Sequence, residues 1–367
     1  MFSFAVKRSR SYKDQVREIL LPEVSDRKNK SIDLSHYQLM NPDGAFIIDV
    51  PAKSFAYYDF ALPQKIIPDC ASSWNSTKLE QLGIEFEMAR TLTDLLKPFA
   101  VSEEDSQLTP EAGKLITDLD AISFDMLVAF RNNNDCTDPK ATLHALAQTD
   151  SLVKTMFMVF KFGNVEAIVD LFVAFLLERI GFYQGRLFAC PQFPHQIHFG
   201  TEQRIASPDF TIMDVLSFFR AVVIEDKSTD SSVAEVNVEA QLIAEAIAIY
   251  QANESKMKQQ LEQMHAKEGA QDSDEKEPAF VDNTILGIKV KGMEFTFYAI
   301  PITSHIITAM KMCVNTHHKS CVSKFGPHTF QNTEGRRLII HVLHIFKHIT
   351  STVGKQTTRR NSGSLKK

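Results

Sequence analysis

The stretch that most constrains this chain runs from Pro208 to Lys227. It ends in Ala221-Val-Val-Ile-Glu-Asp-Lys227, an apolar, β-branched run that reads as a strand. Side chains two apart on a strand share a face, so Glu225 and Lys227 project together while Asp226 points the other way. Upstream, Pro208-Asp209-Phe210-Thr211-Ile212 reads as a second strand. A hairpin folded about Ser217 brings Asp209 opposite Glu225, which puts two carboxylates and one ammonium at one sheet edge. The connection Val215-Leu-Ser-Phe-Phe219 lacks Gly, Pro and Asn. A wider loop with its apolar side chains packed down is therefore expected there, not a tight turn.

A length of 367 residues allows two domains, or one core with sizeable additions. With 44% apolar and 23% charged residues, wholesale disorder is excluded. Five cysteines without regular spacing point to free thiols in a reducing compartment. The basic stretch Met1–Arg10 is followed by no apolar segment of a secretory signal. Val165–Ile180 is apolar but carries Glu166, Asp170, Glu178 and Arg179, so it reads as a buried helix and not as a membrane span. The expectation is an intracellular protein with no membrane partner. A net charge of −5 does not suggest general affinity for nucleic acid. The distribution is more permissive, because residues from Arg336 to Lys367 include eight Lys or Arg and no Asp or Glu. The basic ends, Lys7 to Arg10 and Arg359 to Lys367, are compatible with nuclear import.

Along the chain, residues 1–30 read as a charged arm or first helix, and 45–50 and 55–62 as strands. The apolar spacing of Leu79, Leu82, Phe86, Met88, Leu92 and Leu95 predicts a helix over Lys78–Phe99. Thr109-Pro110 opens another helix, Asn132–Asp135 breaks the chain, and 139–160 is helical again. Residues 1–160 thus read as a mostly α-helical N-terminal region of unknown role. From 161 to 354 a helix capped by Asn164 at one end and Gly181 at the other leads into strands near 186–190 and 196–199, then the Asp209 and Glu225 strands. A long helix follows from Glu235 to about Met264. Residues 267–282 read as a flexible insertion. A hairpin turning at Lys291-Gly292 comes next, then a mixed helical region to Gly354. Residues 355–367 read as a basic, disordered tail.

The order helix, strands, Pro-Asp strand, Glu-x-Lys strand, helix, strand resembles the PD-(D/E)xK nuclease superfamily, with Pro208-Asp209 and Glu225-Asp226-Lys227 standing for its motif. The resemblance covers Asn164 to Ile302. It implies an α/β protein with a central mixed sheet flanked by helices, the restriction-endonuclease-like fold. It also implies Mg²⁺- or Mn²⁺-dependent hydrolysis of DNA or RNA phosphodiesters. By that likeness Asp209, Glu225 and the Asp226 carbonyl are metal ligands and Lys227 is the catalytic cation. Glu166 is an accessory acidic ligand, and Gln241 on the following helix is an accessory polar residue. Hard carboxylate oxygens suit Mg²⁺. The ion neutralises phosphate charge and acidifies bound water, and a lysine beside it can stabilise charge that builds in the transition state. The implied alternative is a catalytically inactive nuclease-fold protein that binds nucleic acid or a protein.

Taken singly, each residue has an ordinary explanation. Glu225 and Lys227 make an unremarkable surface ion pair, Asp209 after a proline starts a turn, and Glu166 suits a helix first turn. Gln241 reads equally as a solvated helix residue. Pro68-Asp69 has no Glu-x-Lys strand after it. Cys313, His317, His318 and Cys321 have zinc-like spacing, but on a helix their three successive turns do not converge. His341, His344 and His348 fall on one helix face, and Glu202, His195 and His198 lie near the motif in sequence. There is no Gly-rich phosphate loop, nucleophile elbow or dinucleotide fingerprint.

Overall fold

The computed structural model describes residue 66 and residues 68–101, 107–132, 150–215, 220–268 and 284–363. The arm expected at 1–30, the strands expected at 45–50 and 55–62, and most of the segment 267–282 lie outside the described residues. Residues 139–149 and the apolar connection at 216–219 lie outside them too. Pro63–Lys367 form one compact unit.

In chain order the unit contains α1 (Ser76–Gln81), β1 (Ile84–Met88), α2 (Leu92–Leu96), α3 (Pro110–Asp120), α4 (Phe124–Asn132), α5 (Ser151–Phe162) and α6 (Glu166–Ile180). Then come β2 (Leu187–Pro191), β3 (His195–Phe199), β4 (Glu202–Ala206), β5 (Phe210–Asp214) and β6 (Arg220–Lys227). The long α7 (Glu235–Glu268) leads to β7 (Thr284–Lys291), β8 (Glu294–Pro301), α8 (Ser304–Met312), β9 (Ser320–Thr329) and α9 (Thr333–Gly363). Seven strands form one mixed sheet in the order β1-β9-β8-β7-β6-β5-β2, and β3 and β4 form a separate hairpin. β6 pairs parallel with β7 and β1 parallel with β9. Together with flanking helices this gives an α/β architecture.

The strands β5 to β8 are apolar at successive positions because both faces of the sheet are covered. On one face Ile212, Val222, Ile224, Ile288 and Phe297 join the core formed with α3, α5, α6 and α9. On the other, Val223, Ile285, Tyr298, Ile300 and Val322 pack with α1, α7, α8 and the β3–β4 hairpin. Ala240, Ala244, Ala246 and Ala248 let α7 lie close to the sheet. At Gly287 a Cβ would meet Ile300 Cδ1 at 2.8 Å and Leu242 Cδ2 at 3.2 Å, so the missing side chain makes room for this approach.

Several expectations change. The helix expected over Lys78–Phe99 is broken into α1, β1 and α2. Gly83 adopts φ +64°, and a Cβ there would collide with the His318 carbonyl. Instead the Gly83 carbonyl accepts a hydrogen bond from Ser320 N (2.8 Å), and β1 continues alongside β9. The boundary expected between 160 and 161 therefore has no counterpart, since β1 from the supposed N-terminal region belongs to the central sheet and α5 packs in the same core as α6. The mixed helical region expected after 302 contains the ten-residue β9. The tail expected from Lys355 continues α9 to Gly363, propagation of an established helix being far easier than its nucleation. The α6 N-cap is Val165, one residue beyond the expected Asn164, whereas Gly181 does cap its C-terminus at φ +92°. Thr109 caps α3 as expected. None of the described helices is long and apolar enough to cross a membrane.

Candidate active site

Antiparallel pairing of β5 with β6 sets Phe210 against Ile224, so Asp209, the residue before β5, stands across from Glu225. The link is direct: Asp226 N donates to Asp209 Oδ2 at 2.8 Å. Phe210 and Ile224 face the α6 side, which turns Asp209, Glu225 and Lys227 toward α7 and leaves Asp226 toward α6. Each helix answers with a carboxyl group. Glu245 of α7 stands beside Glu225, and Asp170 of α6 stands beside Asp226.

Lys227 sits at the centre. Its Nζ lies 2.6 Å from Glu225 Oε1, 3.0 Å from Glu166 Oε1 and 3.7 Å from Asp209 Oδ2, and it donates to the Asp226 carbonyl at 2.6 Å. Four oxygens, from Asp209 just before β5, from β6 and from the first residue of α6, thus converge on one cationic atom. Glu166 is half-exposed and reaches around the end of the sheet, whereas Glu225 is fully buried. Gln241 does not face Lys227's cluster directly. Its Nε2 donates to Glu245 Oε1 at 3.1 Å, one turn further along α7, so it orients the carboxyl behind Glu225.

The electrostatics are lopsided. Six carboxyl groups (Glu166, Asp170, Asp209, Glu225, Asp226 and Glu245) surround a single lysine. Burial, then the charge of Asp209, pushes Glu225 up to about 8. Burial, then the neighbouring Asp170 carboxyl, pushes Asp226 up to about 10. Glu245, wholly buried, is held well above the usual carboxylate range by burial and then by Glu225. Asp209 is raised by burial, against the opposing pull of Lys227 and the Asp226 N–H. Burial alone would lower Lys227, but Glu225 and Asp209 outweigh it and hold the ammonium above its ordinary value.

This donor set can be tested against a hard divalent cation. Among the described residues, Glu225 Oε2, both carboxylate oxygens of Asp226, Glu245 Oε2 and Asp170 Oδ1 have no hydrogen-bond donor, and Glu225 Oε1 has the Lys227 ammonium at 2.6 Å. Buried acceptors without donors are unusual and call for a proton or a cation. All the candidate ligands are oxygens, the type that Mg²⁺ and Mn²⁺ prefer. The chemistry therefore fits such an ion. Among the described residues no three acidic, His or Cys groups are gathered around one metal position, and the Lys227 ammonium lies between Glu225 and Asp209.

Of the residues picked from sequence, Asp209, Glu225, Asp226, Lys227 and Glu166 come together and Gln241 stands one layer behind. Two participants were missed. Glu245 carries a signal, a charge at i+3 from Leu242 within the apolar stripe of α7. Asp170 follows Glu166 by one helical turn on the same face. The rival clusters disperse. Asp69 pairs with Lys78 (3.2 Å), and Cys313 ends α8 in a left-handed conformation while Cys321 lies in β9. His195 Nε2 meets Thr211 Oγ1 at 2.9 Å, and Glu202 pairs with Arg204 on the separate hairpin.

No protein-family model matches the chain, and no curated protein matches it. The functional reading rests on the geometry of the site.

Proposed function

We propose that this protein is a metal-dependent nuclease with a restriction-endonuclease-like fold, hydrolysing phosphodiester bonds of DNA or RNA. The observation that carries the reading is the convergence of Asp209, Glu225, the Asp226 carbonyl and Glu166 on one cationic point at the end of β5 and β6. The element order α6, strands, β5, β6, α7, β7 also agrees with that fold. Asp209 and Glu225, with the Asp226 carbonyl, are the groups that would hold Mg²⁺ or Mn²⁺, and Glu166 would complete the set from α6. Such an ion would supply phosphate neutralisation and a more acidic water.

The chain's own residues divide the remaining work. Asp209 fixes the Asp226 backbone through its hydrogen bond and so sets the β6 carbonyl toward the site. Glu245, oriented by Gln241, backs Glu225 from α7. Lys227, kept protonated by its anionic surroundings, offers positive charge to the phosphoryl oxygens as negative charge grows there.

A second reading, a non-catalytic scaffold that binds nucleic acid or protein, is favoured by one observation. Lys227 fills the space between the carboxylates, 2.6 Å from Glu225 and 3.7 Å from Asp209, so its ammonium stands where a metal ion would. Cleavage assays with Mg²⁺ and Mn²⁺ over a panel of single- and double-stranded DNA and RNA separate the two readings. Activity lost by about 10³-fold or more in Lys227→Ala and in Asp209→Asn, with circular dichroism unchanged, supports the nuclease. No cleavage of any substrate, with no Mn²⁺ binding by calorimetry, leaves the scaffold.

A further inference from the structure

Beside the carboxylate cluster, a cleft of about 80 Å³ opens between the end of β7, the start of β8 and the beginning of α7. Lys227 and Lys291 both line it. The two lysines are partners in the parallel β6–β7 register and so project from one face of adjacent strands, about 4.8 Å apart at the backbone. Gly292 N donates to the Lys227 carbonyl at 2.9 Å, which locks the β7–β8 turn to the end of β6. Like charges placed side by side repel unless an anion lies between them. Lys227 has its carboxylates. Lys291 is exposed and makes no ion pair among the described residues.

Most of the remaining charge around the cleft cancels. Lys289 and Lys324 are matched by Glu235 and Glu239, at 2.6 to 3.4 Å. Glu294, the register partner of Lys291 across the hairpin, shares the cleft without closing an ion pair with it. The Ser231 hydroxyl accepts from Val233 N at 3.4 Å, which leaves its own proton to give. At about 10–15 Å³ per water the cleft holds roughly five to eight water molecules. It is too small for a nucleoside, since pockets for whole small molecules run from about 300 Å³ upward. A tetrahedral anion at the end of a chain that continues into solvent suits this size.

We infer that Lys291, with Ser231, forms a phosphate subsite that receives the phosphodiester group next to the one at the Asp209–Glu225 site. The inference rests on the nuclease reading, and it specifies a polymeric substrate. Lys291 would supply charge to the neighbouring phosphate, and Glu294 would weaken that contact by standing in the same cleft.

The test compares two substrates on the full chain with Mn²⁺. One is a labelled oligonucleotide. The other is bis(p-nitrophenyl) phosphate, which has one phosphodiester and no neighbour. Lys291→Ala should raise KM for the oligonucleotide about five- to tenfold and reduce the log–log salt slope by about 1, with the small diester cleaved as before. Glu294→Gln should lower the oligonucleotide KM about two- to threefold. Equal losses on both substrates, or no change on the oligonucleotide, would overturn the subsite. If the parent protein cleaves neither substrate, the nuclease reading fails by itself. Metal-free oligonucleotide binding then decides the subsite: salt-sensitive binding weakened in Lys291→Ala retains it, and binding that is absent or indifferent to Lys291 overturns it.

Discussion

Two charged clusters join α7 to the sheet, and they are built on opposite principles. Near the start of the helix, Glu235 and Glu239 meet Lys289 of β7 and Lys324 of β9, while Tyr298 OH donates to Glu239 Oε1 at 2.7 Å. Two cations face two anions there. The Lys289 and Lys324 hydrogen bonds pull Glu235 down to about 2. Further along the helix, Glu245 joins a cluster with six carboxyls and one ammonium, where Glu225 and Asp226 are pushed up to about 8 and about 10. The first cluster is complete in itself and behaves as a structural lock. The second stays strained until protons or a cation arrive, and this is the difference between an ion-pair network and a site.

Neutralising the same residue type in each cluster should therefore act in opposite directions. The larger effect is expected at the lock. Glu239→Gln leaves Lys289 and Lys324 with Glu235, which is largely exposed, and it weakens the Tyr298 contact. Breaking a buried pair costs about 3–5 kcal/mol. With Glu235 remaining and Lys324 partly open to solvent, a loss of about 2–3 kcal/mol in urea denaturation is expected. A variant as stable as the parent would show that the lock contributes nothing to holding α7.

Which of these features could be read from sequence depends on how local they are. The β7–β8 hairpin was legible from its alternating and apolar runs around a glycine, and it turns at Gly292-Met293, one residue later than expected. The Asp209–Glu225 pairing followed from folding a hairpin about Ser217, and period two then put Glu225 and Lys227 on one face. β9 was not legible: Ser320–Thr329 mixes Lys, His, Gly and Pro, and its strand state comes from pairing with β8 and the distant β1. β1 was hidden because its apolar residues also match helical spacing. At the site, motif residues close together in the chain were found. Asp170 and Glu245 were passed over, because only the packing of α6 and α7 on opposite faces brings them to Asp226 and Glu225. The lock was unreadable for the same reason, its lysines and glutamates lying 50 or more residues apart.

The two clusters should also differ in their response to pH. In metal-free protein held in chelator, Glu225 titrates near 8 when folded against an ordinary 4.5, and Asp226 near 10 against 3.8. Between those limits the folded state holds protons that the unfolded chain has lost, so stability falls as pH rises. A melting temperature lower by about 5 °C or more at pH 9 than at pH 5 is expected. Glu235, lowered to about 2, has the reverse sign: its contribution is present above 4.5 and disappears as pH falls toward 2. A melting temperature that is flat from pH 5 to 9 in the parent would mean that the site carboxyls are not short of positive charge.

The smallest effect is the most specific. Glu245→Gln removes one carboxyl from the strained cluster and puts an amide donor beside Glu225, whose Oε2 has no hydrogen-bond donor among the described residues. At pH 8 the parent must either keep a proton between Glu225 and Glu245 or bury both charges, and the variant need do neither. It should be more stable than the parent by about 1–2 kcal/mol at pH 8, with a smaller difference at pH 5, where Glu225 carries its proton. Urea denaturation at the two pH values measures this directly. Equal destabilisation at both would indicate lost packing and would place Glu245 with Glu239 as part of the lock. A gain confined to high pH would mean that the chain tolerates an avoidable cost at this position, as expected where a carboxyl is kept for a bound cation and not for the stability of α7.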